Sequence, residues 1–242
     1  MFENRDDFSR HISSEFNNEL ENLSSLLLKM GGVCESQLAL ANGLIDDFNS
    51  EIFDNLIAEE QVVNAMELKI DEKVAEIIAR RQPIASDLRM VLVVSKIVRD
   101  VERVGDEAHK MGKIAAKLGN LETSSVDKLR IKDIEEQVQE IFSDALSCFV
   151  RLDPRMASSI VERDAKIDES YKRSVKKIIS CMGEARAEVE KDLLFIWVLR
   201  SLERIGDHSK NIAEQIIYLV RGTDIRHPKI KNIDKVLYGA NN

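Results

Sequence analysis

Proline and glycine are scarce here, with three prolines (Pro83, Pro154, Pro228) and 10 glycines in 242 residues. That punctuation excludes a protein of many short strands and turns and favours long helices. Aromatic residues make up only 5% of the chain, so its core must be aliphatic. The three cysteines, Cys34, Cys148 and Cys181, are far apart and form no CxxC pair. A disulfide framework and a zinc ribbon are therefore excluded, and buried free thiols are expected. The longest apolar run, Leu193 to Leu199, is seven residues, against the ~20 a membrane-spanning helix needs. Glu3, Arg5, Asp6 and Asp7 occupy the start, where a signal peptide would be apolar, so a cytosolic location is expected. An excess of positive charge is also lacking, because the net charge is −8. With no Lys/Arg cluster along the sequence, a grip on a nucleic-acid backbone is not expected.

What is present has the period of helices. Val91, Val94, Val98, Val101, Gly105, Ala108, Gly112 and Ala115 step by three and four, and Ile97, Val104 and Met111 widen the stripe. So broad an apolar arc belongs to a helix central in a bundle. The pattern predicts helices over 9–47, 51–81, 85–118, 125–152, 155–181 and 187–221. Asp153-Pro154 reads as an N-cap and first helical position, and Gly119 and Gly222 stand where C-terminal caps belong. Trp197, Phe195 and Leu199 continue the arc of the last helix and are expected in the core, and Met30-Gly31-Gly32 marks a kink or a close helix contact.

The chain repeats itself. Arg99-Asp-Val-Glu-Arg-Val-Gly-Asp106 matches Arg200-Ser-Leu-Glu-Arg-Ile-Gly-Asp207, and Glu60-x-x-Val63-Asn64 echoes Asp164-x-x-Ile167-Asp168. The fold class expected is all-α, a tandem repeat of two antiparallel three-helix bundles. The first bundle takes residues 1–120 and the second 121–223, and residues 224–242 form a polar, loosely held tail.

Glu102 and Asp106 are four residues apart, as are Glu203 and Asp207. Each pair projects from adjacent turns at the shoulder of the apolar arc. Like charges there repel unless a cation is shared between them. Gly105 and Gly206 fall inside these helices, where glycine costs ~1 kcal/mol against alanine, which points to a close approach by a neighbour or ligand. A turn near Pro83 sets Asn64 level with Arg103, between Glu102 and Asp106, and a turn near residue 185, where Gly183 lies, sets Asp168 level with Glu203. Oxygen ligands from two helices then meet in each half. Such ligands suit magnesium, manganese or iron, and the lack of a nearby cysteine speaks against structural zinc.

The competing reading is a solvated face laced with ion pairs. Arg99, Arg103, Lys110 and Lys113 surround the first pair, and Arg200, Arg204 and Lys210 the second. Glu59, Glu60, Glu67 and Asp71 likewise read as a merely solvated side of the second helix. His109 makes a lone Asp-x-x-His with Asp106, Lys210 takes that place in the second half, and His11, His208 and His227 are expected on the surface. No nucleophile–base constellation, phosphate-cradling glycine loop or dinucleotide fingerprint occurs, so no enzyme is indicated.

At these residues the chain resembles the PhoU family, accessory and regulatory proteins of bacterial phosphate-specific transport. The likeness runs from His11-Ile-Ser, Phe16-Asn, Glu19-Leu-Glu and Met30-Gly-Gly through Arg81-Gln-Pro-Ile-Ala-Ser-Asp-Leu-Arg89 to the two ExxxD segments. The resemblance implies two bundles related by a pseudo-twofold, with metal clusters on the surface motifs. Carried over, that nominates Glu102, Asp106, Glu203 and Asp207, while Asn64, Asp164 and Asp168 come from helix register. The metals implied are divalent or trivalent ions: iron, zinc, manganese or magnesium. Asn64 stands where the family often has Asp, and Ser201 replaces the acid found at Asp100, so the two sites are not equivalent. The resemblance further implies a negative regulator of phosphate-starvation genes. It would couple the ATPase subunit of a phosphate ABC transporter to a sensor histidine kinase, as a cytoplasmic homodimer held at the inner membrane face through partners. The alternative is a metal-binding helical scaffold without a signalling role.

Overall fold

The computed structural model describes residues 14–121, 125–182 and 186–225. They form six helices: α1 (Ser14–Asp46), α2 (Ser50–Arg81), α3 (Ala85–Leu118), α4 (Ser125–Arg151), α5 (Pro154–Cys181) and α6 (Arg186–Arg221). No strand occurs among the described residues. The expected helices match these closely. Residues 9–13 of the first, with His11, the Gly183 turn, His227 and the tail after residue 225 lie outside the described residues.

Local chemistry sets the helix ends. The Asn49 side chain accepts from the Glu51 and Ile52 amides at 2.8 and 3.1 Å and starts α2. Asp153 does the same for α5 through the Arg155 and Met156 amides, with Pro154 in the first turn, as expected. Of the two glycines expected at C-termini, Gly222 adopts a left-handed φ of 71°. Gly119 does not, at φ −60°. A Cβ on Gly119 would meet Phe48 at 3.0 Å, so closeness and not backbone handedness suits glycine there.

Helices α1, α2 and α3 pack on one another, as do α4, α5 and α6, and α3 against α6 is the largest interhelical contact. The α1–α4 contact supports that seam. Gly31 makes it close, since a Cβ there would lie 2.6 Å from the Leu146 side chain. The predicted α3 stripe is buried throughout, from Val91 to Ala115, and Leu194, Phe195, Leu199 and Ile205 bury the inner face of α6. Each such aliphatic side chain contributes about 1.5–3 kcal/mol by leaving water. Trp197 departs from the expectation, because it is 50% exposed where its neighbours Phe195 and Leu199 are buried. It sits on the outer edge of the arc.

Both arginines of the Arg81–Arg89 segment act as clamps. Arg81 ends α2 and donates to both oxygens of Glu19 at 2.8 and 2.7 Å, tying α2 to the start of α1. That guanidinium holds the Glu19 carboxyl below the usual range. Arg89 reaches across the seam and donates to the Leu219 carbonyl at 3.1 Å, near the end of α6. One bundle thus caps the last helix of the other.

Candidate functional site: two carboxylate clusters on a pseudo-twofold

Glu102 and Asp106 lie half-buried on α3, as Glu203 and Asp207 do on α6. Burial raises the Glu102 carboxyl above its ordinary range, and the charges of Asp106 and Glu67 push it the same way against the pull of Arg103. Glu203 is raised likewise, by burial first and then by Asp207 and Asp168, against Arg200. The charge of a third carboxylate from the preceding helix, Glu67 on α2 or Asp168 on α5, thus reaches each pair. Each site also has an arginine from its own helix. Arg103 Nη1 donates to Asp106 at 2.9 Å and its Nε lies 3.4 Å from Glu102, and Arg200 Nη1 lies 2.7 Å from Glu203.

The residues from α2 and α5 divide. The charge of Asp168 on α5 adds to the upward push on Glu203. Asn64 is exposed, and the α2 carboxylate whose charge reaches Glu102 is Glu67, three residues further along the same face. Sequence reasoning left Glu67 among the solvated acids, although its spacing from Asn64 marked it. Asp164 is buried at 2% exposure beneath its cluster, and Lys210 donates to its Oδ2 at 2.6 Å. Its Oδ1 is buried with no partner and would lie 3.3 Å from a Cβ on Gly206. Glycine at 206 thus makes room for a neighbouring carboxylate, as its mid-helix place implied.

The first bundle repeats that arrangement with other chemistry. Glu60 contacts His109 Nδ1 between α2 and α3, and His109 holds in α3 the place Lys210 holds in α6. Glu60 and Asp164, the acids matched in the sequence repeat, are therefore both anchors for a base one helix away. Glu59 is also engaged, accepting from the Ser36 hydroxyl at 2.9 Å. His208 is not a plain surface residue, for its Nδ1 lies 2.9 Å from Asp100 across the seam. Of the thiols, Cys34 and Cys148 are buried and Cys181 is exposed. Burial pushes Cys148 up to about 12, and Cys34 donates to the Val101 carbonyl at 3.3 Å.

Among the described residues no group of three or more His, Cys, Asp and Glu side chains already converges in the geometry of a metal centre. The donor chemistry nevertheless fits a hard or borderline cation. All donors are carboxylate oxygens, the central glutamates are raised by burial and then by their acidic neighbours, and the ion-paired arginines are more than half exposed.

Two three-helix units packed on a shared seam, each carrying a half-buried acidic pair, define an all-α tandem-repeat scaffold. The PhoU domain family model matches residues 27–115 and 131–216, one copy in each half. The chain belongs to the PhoU family. It is 43% identical over 224 residues to the phosphate-specific transport system accessory protein PhoU homolog of Pseudomonas aeruginosa, covering 93% of each chain. With the PhoU accessory protein of Escherichia coli K12 it shares 36% over 231 residues, covering 96% of this chain and 95% of that one. The crystal structure of PhoU from Pseudomonas aeruginosa superposes with a TM-score of 0.83 at 42% identity, over 86% of this chain and 100% of that one. The PhoU regulatory protein of Streptococcus pneumoniae, 24% identical, shares the fold at a TM-score of 0.79, over 88% of this chain and 100% of that one.

Proposed function

We propose that this chain is the accessory and regulatory protein of a phosphate-specific transport system, acting without catalysis of its own to keep phosphate-starvation genes off when phosphate is plentiful. The carrying observation is end-to-end likeness, in sequence and in fold, to PhoU accessory proteins, with both acidic motifs in place. In this reading the ATPase subunit of a phosphate ABC transporter and a sensor histidine kinase are the partners. The protein works in the cytoplasm as a homodimer, at the inner membrane face through those partners. No helix among the described residues is long and apolar enough to cross a membrane, which agrees with attachment through partners.

Each repeat, residues 1–120 and 121–223, carries one cation site. Glu102, Asp106 and Glu67 hold the first, and Glu203, Asp207 and Asp168 the second. A bound iron, manganese, magnesium or zinc ion supplies local positive charge on an acidic surface, suited to phosphate or to a partner's carboxylates. Burial, Asp164 with Lys210 and Glu60 with His109 fix the helices beneath, so that a ligand meets a prepared surface. The test is alkaline-phosphatase activity in a strain lacking this gene and grown in abundant phosphate. High activity silenced by the restored copy is expected, and activity low in both strains would overturn the regulatory reading.

A further inference from the structure

The sequence repeat allows one end of the α3–α6 seam to be compared with the other, and the two ends differ sharply. At one end an open groove of about 380 Å³ lies between the helices, lined by Glu107, Lys110, Lys113, Trp197, Arg200 and Arg204. Glu107 is buried at 2% exposure and fully engaged. It accepts from the Ser201 hydroxyl at 2.9 Å and from Lys110 at 3.0 Å, and lies 2.9 Å from Arg204 Nε. Four cations therefore line this groove, Lys110 and Arg204 paired with Glu107 and Arg200 with Glu203, which leaves an excess of positive charge on a chain whose net charge is −8. Lys113 is exposed, and Trp197 stands half-exposed beside them.

At the other end the repeat puts Lys96 where Trp197 stands, Glu214 where Lys113 stands and Asp100 where Ser201 stands. A seam needs neither a bare tryptophan nor excess positive charge to pack, since its mate packs without them. An exposed aromatic among arginines is the composition of an interface hot spot, and the surplus charge selects an acidic partner.

We propose that this groove docks an acidic segment of a partner protein, an apolar side chain of which covers Trp197 while its carboxylates meet Lys113, Arg200 and Arg204. The inference rests on the reading of a regulator that works through protein partners, and it adds the chemistry and place of one such contact. Contact with arginines adjoining the Glu203 cluster would link docking to the state of that cluster.

Trp197 is the single tryptophan of the chain, so its emission reports on this groove alone. The probe is a synthetic peptide of Asp and Glu flanking one Leu, titrated into the purified protein at low salt. A blue shift of the emission is expected, weakened by added salt and about five- to tenfold in Lys113→Glu. Arg99→Glu, the same kind of change on the opposite end of the seam, is expected to bind like wild type, and unfolding midpoints establish that both variants fold. An unchanged emission at millimolar peptide would overturn the proposal. So would an equal loss in Arg99→Glu, or an equal response to inorganic phosphate alone, which would mark a small-anion site. Dissociation of a dimer by Lys113→Glu in sedimentation would assign the groove to a second copy and overturn it too. The measurement needs no transporter or kinase, so its failure and that of the starvation reporter are separate results.

Discussion

Asp100 on α3 and His208 on α6 meet at 2.9 Å across the seam between the bundles. Their counterparts in the sequence repeat are Ser201 and Glu107, which also meet at 2.9 Å. The sequence repeat thus keeps the polar crossing and changes its chemistry: an acid and a base at one end, a hydroxyl and an acid at the other. Asn211 adds a second donor to the same Asp100 oxygen at 3.1 Å. The crossings fix how the two carboxylate clusters sit relative to one another.

Asp100→Ala removes the acceptor shared by His208 and Asn211. Unfolding by urea at neutral pH is expected to show a loss of about 1–3 kcal/mol, because two part-buried donors are left without their partner. His208→Ala in the Asp100→Ala background should cost less than in the wild type, and equal costs would mean the pair does not couple.

Lys210→Ala strands Asp164, whose side chain is 3% exposed and whose second oxygen already lacks a partner. A loss of about 3 kcal/mol is expected. The double variant Asp164→Asn with Lys210→Met should recover part of it, and recovery read by denaturation separates a stranded charge from lost packing.

Cation binding is tested on protein stripped with a chelator. Glu203→Gln with Asp207→Asn is expected to be no less stable than the wild type without metal, since it relieves the crowding that raises Glu203. With manganese or iron at about a hundred times its dissociation constant, the wild type should gain about 3 kcal/mol, or roughly 5–10 °C in Tm. The same variant, which retains the first cluster, should gain less and bind less metal by mass spectrometry. An equal gain would remove the second cluster from the metal-binding reading.

Glu135 on α4 gives the fold a pH dependence away from the clusters. It is 6% exposed, one of its oxygens lacks a partner, and burial with the charge of Asp46 raises it to about 7, while Lys132 opposes. The folded chain holds this proton more tightly than the unfolded one. Its contribution is therefore present at acid pH and lost as pH climbs from the ordinary glutamate range to about 7. Glu135→Gln should flatten that slope and be more stable than wild type at pH 8 by up to about 3 kcal/mol, read by urea unfolding at several pH values.

Helix number, helix ends and the inward stripe of α3 were legible because they follow from neighbours in the chain. A period of three and four, a Pro after Asp153 and a glycine after Arg221 act over one or two turns. The ExxxD pairs were legible for the same reason, since four residues on a helix are adjacent in space whatever the rest of the molecule does. Glu67 escaped because a difference of three residues along one face is finer than a turn position read from sequence.

Distant partners were not legible. That Trp197 is bare while Phe195 is buried, that His208 meets Asp100, and that Arg89 caps the other bundle's last helix all depend on how α3 lies against α6. Periodicity tells which arc of a helix is apolar, and it does not tell where the partner helix ends across that arc. The sequence by itself determined an all-α tandem repeat and the acids each repeat displays, because those are local properties of spacing and side-chain type. Only the tertiary structure decided which acids share a site, which are consumed as anchors beneath it, and which end of the seam stays open, because those depend on helices many residues apart meeting at one level.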